Sequence, residues 1–322
     1  MLRRLMTVPT LLILWALVLA HGLPQLHGAE AGSKRAKKPN IMFLLADDLG
    51  YAELGCYGQQ KIRTPNLDRM AAEGMRFTQF YSGAPVCAPS RCVLMTGKHL
   101  GHAYIRDNRA VAPEGQEPIP DETVTLAETL QAAGYATGAM GKWGLGPPAS
   151  SGDPNKQGFD LFFGYNCQGH AHNFYPTYLW RNDQHVTLNN REFSAHQKLP
   201  PDADPNDPAS YQQYIGSDYA PDRMIDEALG FIRQNKDRSF FLYYPTTVPH
   251  LAIQVPEDSL AEYRGQWPDP PYPGGKGYLP HPSPRAGYAA MVTRMDRDIG
   301  RMLALLKQLG LDDNTLVMFS SD

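Results

Sequence analysis

The sequence is poor in cysteine and contains no Asn-x-Ser/Thr tripeptide. Its four cysteines lie at positions 56, 87, 92 and 167, which is too few for a disulfide framework in a chain of 322 residues. No two of them have the spacing of a metal-binding cysteine motif. This tripeptide is the acceptor sequence for N-glycosylation. Its absence disfavours a glycosylated lysosomal protein and favours a bacterial exported one.

The chain also lacks a large excess of charge and a long apolar run. Its formal net charge is -3, so the composition does not argue for a nucleic-acid partner. The apolar run at residues 11–20 is far shorter than the about 20 residues that a membrane-spanning helix needs. Arginines precede this run and small residues follow it, which is typical of a cleaved signal peptide. We therefore predict a signal peptide at 1–29, a basic linker at 30–38, an exported protein (periplasmic or extracellular) and no stable membrane span.

Apolar strands alternate with amphipathic helices along the rest of the chain. This alternation predicts an α/β fold with a mostly parallel central sheet between helices. The segments 147–217 and 255–285 show no clear periodicity and are predicted to be long loops. The patterns predict strands at 40–46, 76–82, 135–143, 239–244 and 315–319, and helices at 67–75, from 87 onward, 125–133, 218–234 and 286–309.

The segment CAPSRCVLMTG, from Cys87 to Gly97, has the features of a helix start. Pro89 suits a first helical turn, where a missing N–H group costs nothing. The free N–H groups of such a turn create a positive field that favours anions, and Arg91 adds a permanent cation. The sequence therefore predicts a cysteine in an anion-binding environment.

Polar side chains follow the carboxyl ends of several predicted strands. Asp47 and Asp48 follow the first strand, Lys142 ends the strand at 135–143, and His250 and Asp322 follow later strands. Ligands of open parallel sheets bind beyond these ends, so we expect the five side chains to converge. Taken one at a time, the Asp pair also suits a turn or a helix cap, and Lys142 and His250 suit a surface or a loop.

The Cys87–Gly97 segment matches the signature Cys-x-Pro-Ser-Arg-x-x-x-(Leu/Met)-Thr-Gly position by position, and the chain therefore resembles the type I sulfatases of the alkaline phosphatase superfamily. The resemblance covers nearly all of the chain after residue 38. It implies an alkaline-phosphatase-like fold and a divalent metal, Ca²⁺ or alternatively Mg²⁺, held by oxygen ligands. It also implies that Cys87 is oxidised to formylglycine by a formylglycine-generating enzyme. The implied metal ligands are Asp47, Asp48, Asp322 and the group at Cys87, and the implied catalytic residues are Cys87, Arg91, Lys142 and His250.

The same resemblance implies how these residues act on a sulfate ester. One hydroxyl of the hydrated aldehyde attacks sulfur, and the second expels sulfate. Arg91 and Lys142 stabilise negative charge, and His250 protonates the leaving oxygen. A sulfuric ester hydrolase of the arylsulfatase type, acting on a sulfated carbohydrate or an aryl sulfate, is thus the predicted function.

Two departures from the family pattern matter. The family often reads Gly-Lys-Trp-His-Leu-Gly, and this chain has Gly144 where the histidine stands. His170 and His172 are candidates for the missing base, and are equally candidates for substrate binding or for packing. The family continues beyond the position of Asp322 with an asparagine ligand, a lysine and a C-terminal subdomain. We therefore expect residues 39–322 to be an incomplete catalytic domain that lacks this subdomain, folds poorly and has little activity.

Two other functions remain open at the sequence level. One is a phosphodiesterase or phosphonate hydrolase of the same superfamily, some of which also use formylglycine. The other is an inactive, truncated exported remnant that binds anionic glycans. An aromatic and polar loop with Tyr165, Tyr175, Tyr178 and Trp180 suits a sugar, although such clusters also pack loops.

Overall fold

The computed structural model describes residues 38–112, 114–275 and 277–322. The predicted signal peptide, and all of the predicted linker except Lys38, lie outside these residues, and the predicted domain boundaries stay predictions. The strands are β1 (Asn40–Ala46), β2 (Ala136–Lys142), β3 (Leu161–Tyr165), β4 (Tyr178–Arg181), β5 (Gln184–Thr187), β6 (Phe240–Pro245) and β7 (Thr315–Ser321). The helices are α1 (Pro65–Glu73), α2 (Cys87–Thr96), α3 (Leu126–Ala132), α4 (Ala220–Gln234), α5 (Glu257–Leu260) and α6 (Pro284–Gln308).

The strands form one sheet in the order β5-β4-β3-β2-β6-β1-β7. The strand pairs from β3 to β7 along this order are parallel. The strand β4 is antiparallel to both of its neighbours, β3 and β5. Parallel neighbours need a crossover segment, which is a loop between β2 and β3. The other crossovers contain helices, and these lie on both faces of the sheet. The predicted α/β architecture with a mostly parallel central sheet is confirmed.

The alternation of side chains along the strands divides the core between the two faces. Met42 and Leu44 of β1 point to the face covered by α4 and α6, whereas Leu45 points to the face covered by α2 and α3. In the same way, Leu242 and Tyr243 of β6 lie on opposite faces. The central strands are buried on both sides, which explains why β1 and β6 are continuous apolar runs.

The parallel strands all place their carboxyl ends at one edge of the sheet. Residues that follow β1, β2, β6 and β7 therefore meet there, and we call this edge the carboxyl rim. The first turn of α2 lies at the same edge, because Arg91 donates a hydrogen bond to the backbone oxygen of Lys142 at the end of β2. The fold thus brings together segments that lie up to about 280 residues apart in sequence, as a parallel sheet does in general.

Three predictions about local structure are wrong, and one of them is the long loop at 255–285, which contains the helix α5. Residues 76–82, predicted as a strand, form no strand, and Phe77, Phe80 and Tyr81 are exposed instead of paired in the sheet. The predicted long loop at 147–217 contains β3, β4 and β5. The run LFFGY of β3 is only five residues long, so no period could be read from it, although its burial between β2 and β4 makes it part of the core.

Among the described residues, none of the helices is both long and apolar enough to cross a membrane.

Candidate active site

The two aspartates after β1 are held in different ways. Asp47 is buried, and its backbone N–H donates to the oxygen of Val248 at 3.0 Å. Asp48 has a left-handed backbone with φ of 63°, a conformation that Asp and Asn adopt more readily than most residues. This turn directs the Asp48 side chain, which is half-exposed, toward His250. The Asp-Asp pair therefore presents one buried and one accessible carboxylate at the carboxyl rim.

Four buried charged groups form an ion network across the carboxyl rim. Lys142 Nζ lies 2.8 Å from Asp47 Oδ2, and Arg91 Nη2 lies 3.5 Å from Asp47 Oδ1. Arg91 Nη2 also lies 2.6 Å from Asp322 Oδ2. The side chains of all four have no solvent exposure, so the network joins β1, α2, β2 and the residue after β7 in a low-dielectric interior.

The network shifts the pKa of each carboxyl in its own direction. Burial raises the pKa of Asp47, but the nearby Lys142 and Arg91 outweigh burial and hold that pKa well below its usual range. Burial also raises the pKa of Asp322, and there it prevails over Arg91, giving about 6. Asp47 is therefore a fixed anion at neutral pH, whereas Asp322 is close to its titration range.

Cys87 begins α2 at the carboxyl rim, as predicted. The backbone N–H of the next residue, Ala88, donates to Asn108 Oδ1 at 3.1 Å, so one free N–H group of the first turn is already satisfied. Burial raises the pKa of the Cys87 thiol to about 11, with Lys142 and Arg91 opposing it and Asp47 adding to it. The positive field of the helix start does not make this thiol acidic, so the unmodified side chain is a poor nucleophile at neutral pH.

His250 faces the two aspartates from the segment after β6. Its Nε2 lies 3.4 Å from Asp48 Oδ2, and its Nδ1–H donates to the backbone oxygen of Leu251. Burial lowers the pKa of His250, Asp47 opposes this, and Lys142 lowers the pKa further. The hydrogen bond at Nδ1 leaves Nε2 as the atom that exchanges a proton at the carboxyl rim.

The carboxyl rim has the donor set of a site for a hard divalent cation. Ligand atoms of Asp47, Asp48, Cys87 and His250 all lie within 4.8 Å of one another. Asp47 Oδ1 is buried and receives no hydrogen bond from the described groups, which leaves a lone pair free for a cation. Asp322 is outside this group of four, because its Oδ2 faces Arg91 and its Oδ1 accepts from the N–H of Asp48 at 3.2 Å. Carboxylate oxygens at this density suit Ca²⁺ or Mg²⁺.

The structure gives a steric reason for Gly144. A Cβ atom added at this position would lie 1.8 Å from Nε2 of Gln168, and the backbone has φ of +80°. The Gln168 side chain is buried, and neither of its polar atoms has a hydrogen-bond partner among the described groups. The space that a side chain at position 144 would enter is therefore filled by an amide from the loop after β3.

The two histidine candidates lie in different surroundings. His170 Nδ1 is 3.3 Å from Glu114 Oε1, and its ring packs between Tyr165 and Tyr178. The ring of His172 instead lies flat on that of His250, with centroids 4.6 Å apart and planes 9° apart. His172 therefore adjoins the carboxyl rim, whereas His170 contacts a neighbouring aromatic cluster. A role for either in substrate binding stays a prediction.

The aromatic residues of the predicted sugar-binding loop are divided in the same way. Tyr165 and Tyr175 are buried in the core and cannot form a platform for a sugar. Tyr178 and Trp180 are half-buried, and both donate hydrogen bonds to Glu114. Most of this aromatic loop is thus structural packing.

Sequence reasoning did not identify Gln168, His196 or Tyr278 as neighbours of the site. His196 Nε2 lies 2.9 Å from His172 Nδ1, and the Tyr278 ring packs against both histidines. These residues come from loops with no periodicity, so the sequence offers no signal for their position beyond their residue type.

Comparisons with known proteins bear on the same residues. The family model described as Sulfatase matches residues 39–322. The chain is 35% identical over 298 residues to N-acetylgalactosamine-6-sulfatase of Homo sapiens, covering 88% of this chain and 49% of that protein. It is 34% identical over 305 residues to arylsulfatase A of Homo sapiens, covering 91% of this chain and 53% of that protein.

A similar structure is that of Ps i-CgsB in complex with k-i-k-neocarrahexaose. It has a TM-score of 0.69 and 28% identity, and the match covers 88% of this chain and 58% of that chain. The chain spans about half the length of the curated relatives it matches.

Proposed function

The chain belongs to the sulfatase family, and from this membership and the geometry of the carboxyl rim we propose that it hydrolyses sulfate esters. The observation that carries the proposal is the convergence of Asp47, Asp48, Cys87 and His250 within 4.8 Å, beside two buried cations. A site with fixed cations, a nucleophile position and a proton donor is suited to transfer of an anionic group.

We assign the nucleophile to residue 87, in the form of formylglycine made from Cys87. Formylglycine at this position would, once hydrated, supply one hydroxyl as the nucleophile and a second hydroxyl for the release of sulfate. The thiol itself is a poor substitute, because burial raises its pKa to about 11 and keeps it protonated at neutral pH. Oxidation of Cys87 by a formylglycine-generating enzyme is therefore part of the proposal.

Arg91 and Lys142 supply the positive charge that a sulfuryl group needs. Both side chains are fully buried and held by Asp47, so their positions are fixed before a substrate arrives. Fixed charges in a site of low dielectric stabilise developing negative charge without reorganisation. Two carboxylates, those of Asp47 and Asp322, offset the charge of these cations. The free site therefore carries no large excess of positive charge when a sulfate monoanion binds.

His250 is the proposed acid for the leaving oxygen. Its Nδ1–H is committed to the oxygen of Leu251, so Nε2 is the atom that gives up a proton. Its pKa is lowered by burial in the free protein, and a bound sulfate monoanion would raise it by favouring the imidazolium form. The acid would thus be charged mainly when substrate is present.

The proposed metal is Ca²⁺, with Mg²⁺ as the alternative. Asp47, Asp48 and the oxygen at residue 87 are the proposed ligands, and the bound cation would polarise a sulfate oxygen. Asp322 is a further proposed ligand on the family resemblance alone, because its oxygens face Arg91 and the N–H of Asp48 in this structure. Oδ1 of Asp47 supports this assignment, because among the described residues it accepts no hydrogen bond and has only the 3.5 Å ion pair with Arg91.

Sulfated carbohydrates and aryl sulfates are the proposed substrates. The names of the relatives refer to N-acetylgalactosamine 6-sulfate and aryl sulfates, and a similar structure holds a neocarrahexaose. Export to the periplasm or the extracellular space, with no nucleic-acid partner, completes the proposal and rests on the sequence alone.

The chain is to be produced with a formylglycine-generating enzyme, and the peptide that contains residue 87 analysed by mass spectrometry. We expect conversion of Cys87, and turnover of nitrophenyl sulfate that is low, in line with the expectation for an incomplete catalytic domain, but exceeds turnover of nitrophenyl phosphate. Cys87→Ala should abolish this turnover, and Cys92→Ala, which alters the buried cysteine of the same helix, is the matched control. An unmodified Cys87, no turnover, or a strong preference for the phosphate ester would contradict the proposal.

A further inference from the structure

A hydrogen-bonded pair of histidines, His172 and His196, lies beside His250, and only His172 was a candidate from the sequence. His172 Nδ1 and His196 Nε2 are 2.9 Å apart, and His196 Nδ1 is 2.7 Å from the backbone oxygen of Gly277. The backbone of His172 is tied to the same segment as His250, because the N–H of Ala252 donates to the oxygen of His172 at 3.3 Å. The pair is therefore fixed to the carboxyl rim by both its backbone and its stacked ring.

The acceptor at Gly277 determines which nitrogens carry protons. A carbonyl oxygen only accepts hydrogen bonds, so His196 must carry its proton on Nδ1. In a neutral His196, Nε2 is then a lone pair, and His172 must donate to it from Nδ1. A neutral His172 that carries its proton on Nδ1 has an unprotonated Nε2. Within the described part of the chain the ring of His172 is hydrogen-bonded through Nδ1, which leaves Nε2 as the nitrogen that can accept a proton.

We propose that His172 is the proton acceptor of the carboxyl rim and that His196 is the positioning residue that keeps Nε2 of His172 as a lone pair. This proposal rests on the proposed function, because the proton comes from the hydroxyl at residue 87. The O–H bond breaks, its electron pair stays on oxygen, and an N–H bond forms at Nε2 of His172. The imidazolium then returns the proton to water. His172 thereby takes the task for which Gly144 has no side chain.

The surroundings of His172 favour a neutral ring that is held in place by its neighbours. Burial and the neighbouring His250, Lys142 and His196 together lower the pKa of His172 to about 3, against the opposing effect of Asp47. Two rings stacked at 4.6 Å cannot both carry a charge at low cost, so the proton of the pair belongs to one ring at a time. Tyr278 packs against His172 and His196 and limits the rotation of both rings.

The tautomer is tested directly by NMR of the chain labelled with ¹⁵N-histidine. Long-range proton–nitrogen correlations distinguish a ring nitrogen that carries a proton from one that carries a lone pair. We expect Nδ1–H and an unprotonated Nε2 at His172. His196→Gln places an amide oxygen near the position of Nε2 and should keep this tautomer, whereas His196→Lys offers only donors and should reverse it. His172→Gln identifies the resonances.

Turnover of nitrophenyl sulfate gives the second readout. His172→Gln and His196→Lys should lower kcat by about 10²- to 10⁴-fold with little change in KM, because they remove a proton acceptor and not a binding contact. His196→Gln should remain within a few-fold of the unsubstituted chain. His99→Gln, at an exposed histidine of another loop, is the control and should change neither kcat nor the His172 tautomer.

Three results would overturn the inference. They are an Nε2–H tautomer at His172 in the unsubstituted chain, equal effects of His196→Gln and His196→Lys, and an unchanged kcat in His172→Gln. A chain that does not turn over sulfate esters at all would instead contradict the proposed function. In that case the NMR arm still supports or rejects the part of the inference that concerns His196.

Discussion

Lys142 shows how much the buried charges of the carboxyl rim depend on each other. Its ammonium group has no solvent exposure and lies 2.8 Å from Asp47 Oδ2, and the nearest other cation to Asp47, Arg91, is 3.5 Å away. A buried pair of this kind contributes little net stability, but the loss of one partner leaves an uncompensated charge in the interior. The loss of either Lys142 or Asp47 is therefore expected to destabilise the carboxyl rim.

We expect Lys142→Met to lower the free energy of unfolding by about 3–5 kcal/mol, because it strands the Asp47 carboxylate. Urea unfolding followed by tryptophan fluorescence, in the presence of a chelator, measures this change. Arg264→Met removes one partner of an exposed pair with Glu257 and should cost at most about 1 kcal/mol. Equal losses in the two variants would contradict the prediction.

The residues of the carboxyl rim differ in how far sequence could predict them. Asp47 and Lys142 sit at the ends of apolar runs, so the parallel sheet alone brings them together. Gln168 and His196 lie on loops whose paths depend on tertiary packing, and no period in the sequence places them beside Gly144 and His172. The cysteine signature predicts residue 87 as the nucleophile position, but it could not show that burial raises the pKa of the thiol.

At the scale of elements, the N-terminus of α6 is capped from outside the helix. The Asp269 carboxylate accepts hydrogen bonds from the N–H groups of Arg285 and Ala286, and His281 Nδ1 accepts one from the N–H of Ser283 at 3.0 Å. These three acceptors satisfy N–H groups that have no partner within the helix. The cap therefore depends on a neutral His281, because a protonated Nδ1 cannot accept.

Burial lowers the pKa of His281 to about 4, with Asp269 opposing it. An unfolded chain has a histidine pKa of about 6.5, so between pH about 6.5 and about 4 the unfolded state binds more protons than the folded state. The stability that neutral His281 contributes is fully present above pH about 6.5 and is lost as the pH falls through about 4, with an upper limit of about 3 kcal/mol.

His281→Asn keeps an acceptor for the N–H of Ser283 but does not titrate. We expect its free energy of unfolding to fall less than that of the unsubstituted chain between pH 7 and pH 4. All other titrating groups are common to both proteins, so the difference between the two urea curves isolates His281. Parallel pH profiles would show that the histidine is not responsible.

Element type was predictable wherever a pattern was long enough. The helix α6 and the strands β1 and β6 follow from periodicity and apolar runs. The bounds of β1 are as predicted, and those of α6 and β6 differ by one or two residues. The strand β3 could not be recognised, because its assignment depends on pairing with β2. The strand predicted at 76–82 is absent because its β-like composition is not sufficient to form a strand without a neighbouring strand to pair with.

At the scale of the whole molecule, the carboxyl rim joins segments from both ends of the described chain. Asp47 follows β1, the second strand from one edge of the sheet, and Asp322 follows β7 at that edge. The N–H of Asp48 donates to Asp322 Oδ1, and the N–H of Asp322 donates to the oxygen of Ala46. A cation held at the rim would bind only the folded chain, because unfolding separates its ligands.

Binding to the folded state alone stabilises a protein by RT ln(1 + [L]/Kd), about 2.7 kcal/mol at a concentration of 100 Kd. For a chain of this size, that energy corresponds to a rise of about 5 °C in the melting temperature. We therefore expect Ca²⁺ to raise the melting temperature of the chelator-treated chain, as measured by calorimetry at increasing Ca²⁺ concentrations.

Asp48→Asn is the informative variant for this measurement. Asn adopts the left-handed backbone of position 48 as readily as Asp, so the substitution removes a charge from the rim and leaves the turn intact. Its melting temperature without metal should match that of the unsubstituted chain, and its response to Ca²⁺ should be much weaker. Asp312 is an exposed aspartate that precedes the amino end of β7, at the other end of the strand from the carboxyl rim. The variant Asp312→Asn should respond to Ca²⁺ as the unsubstituted chain does. An equal response in all three proteins would mean that Ca²⁺ binds elsewhere on the chain.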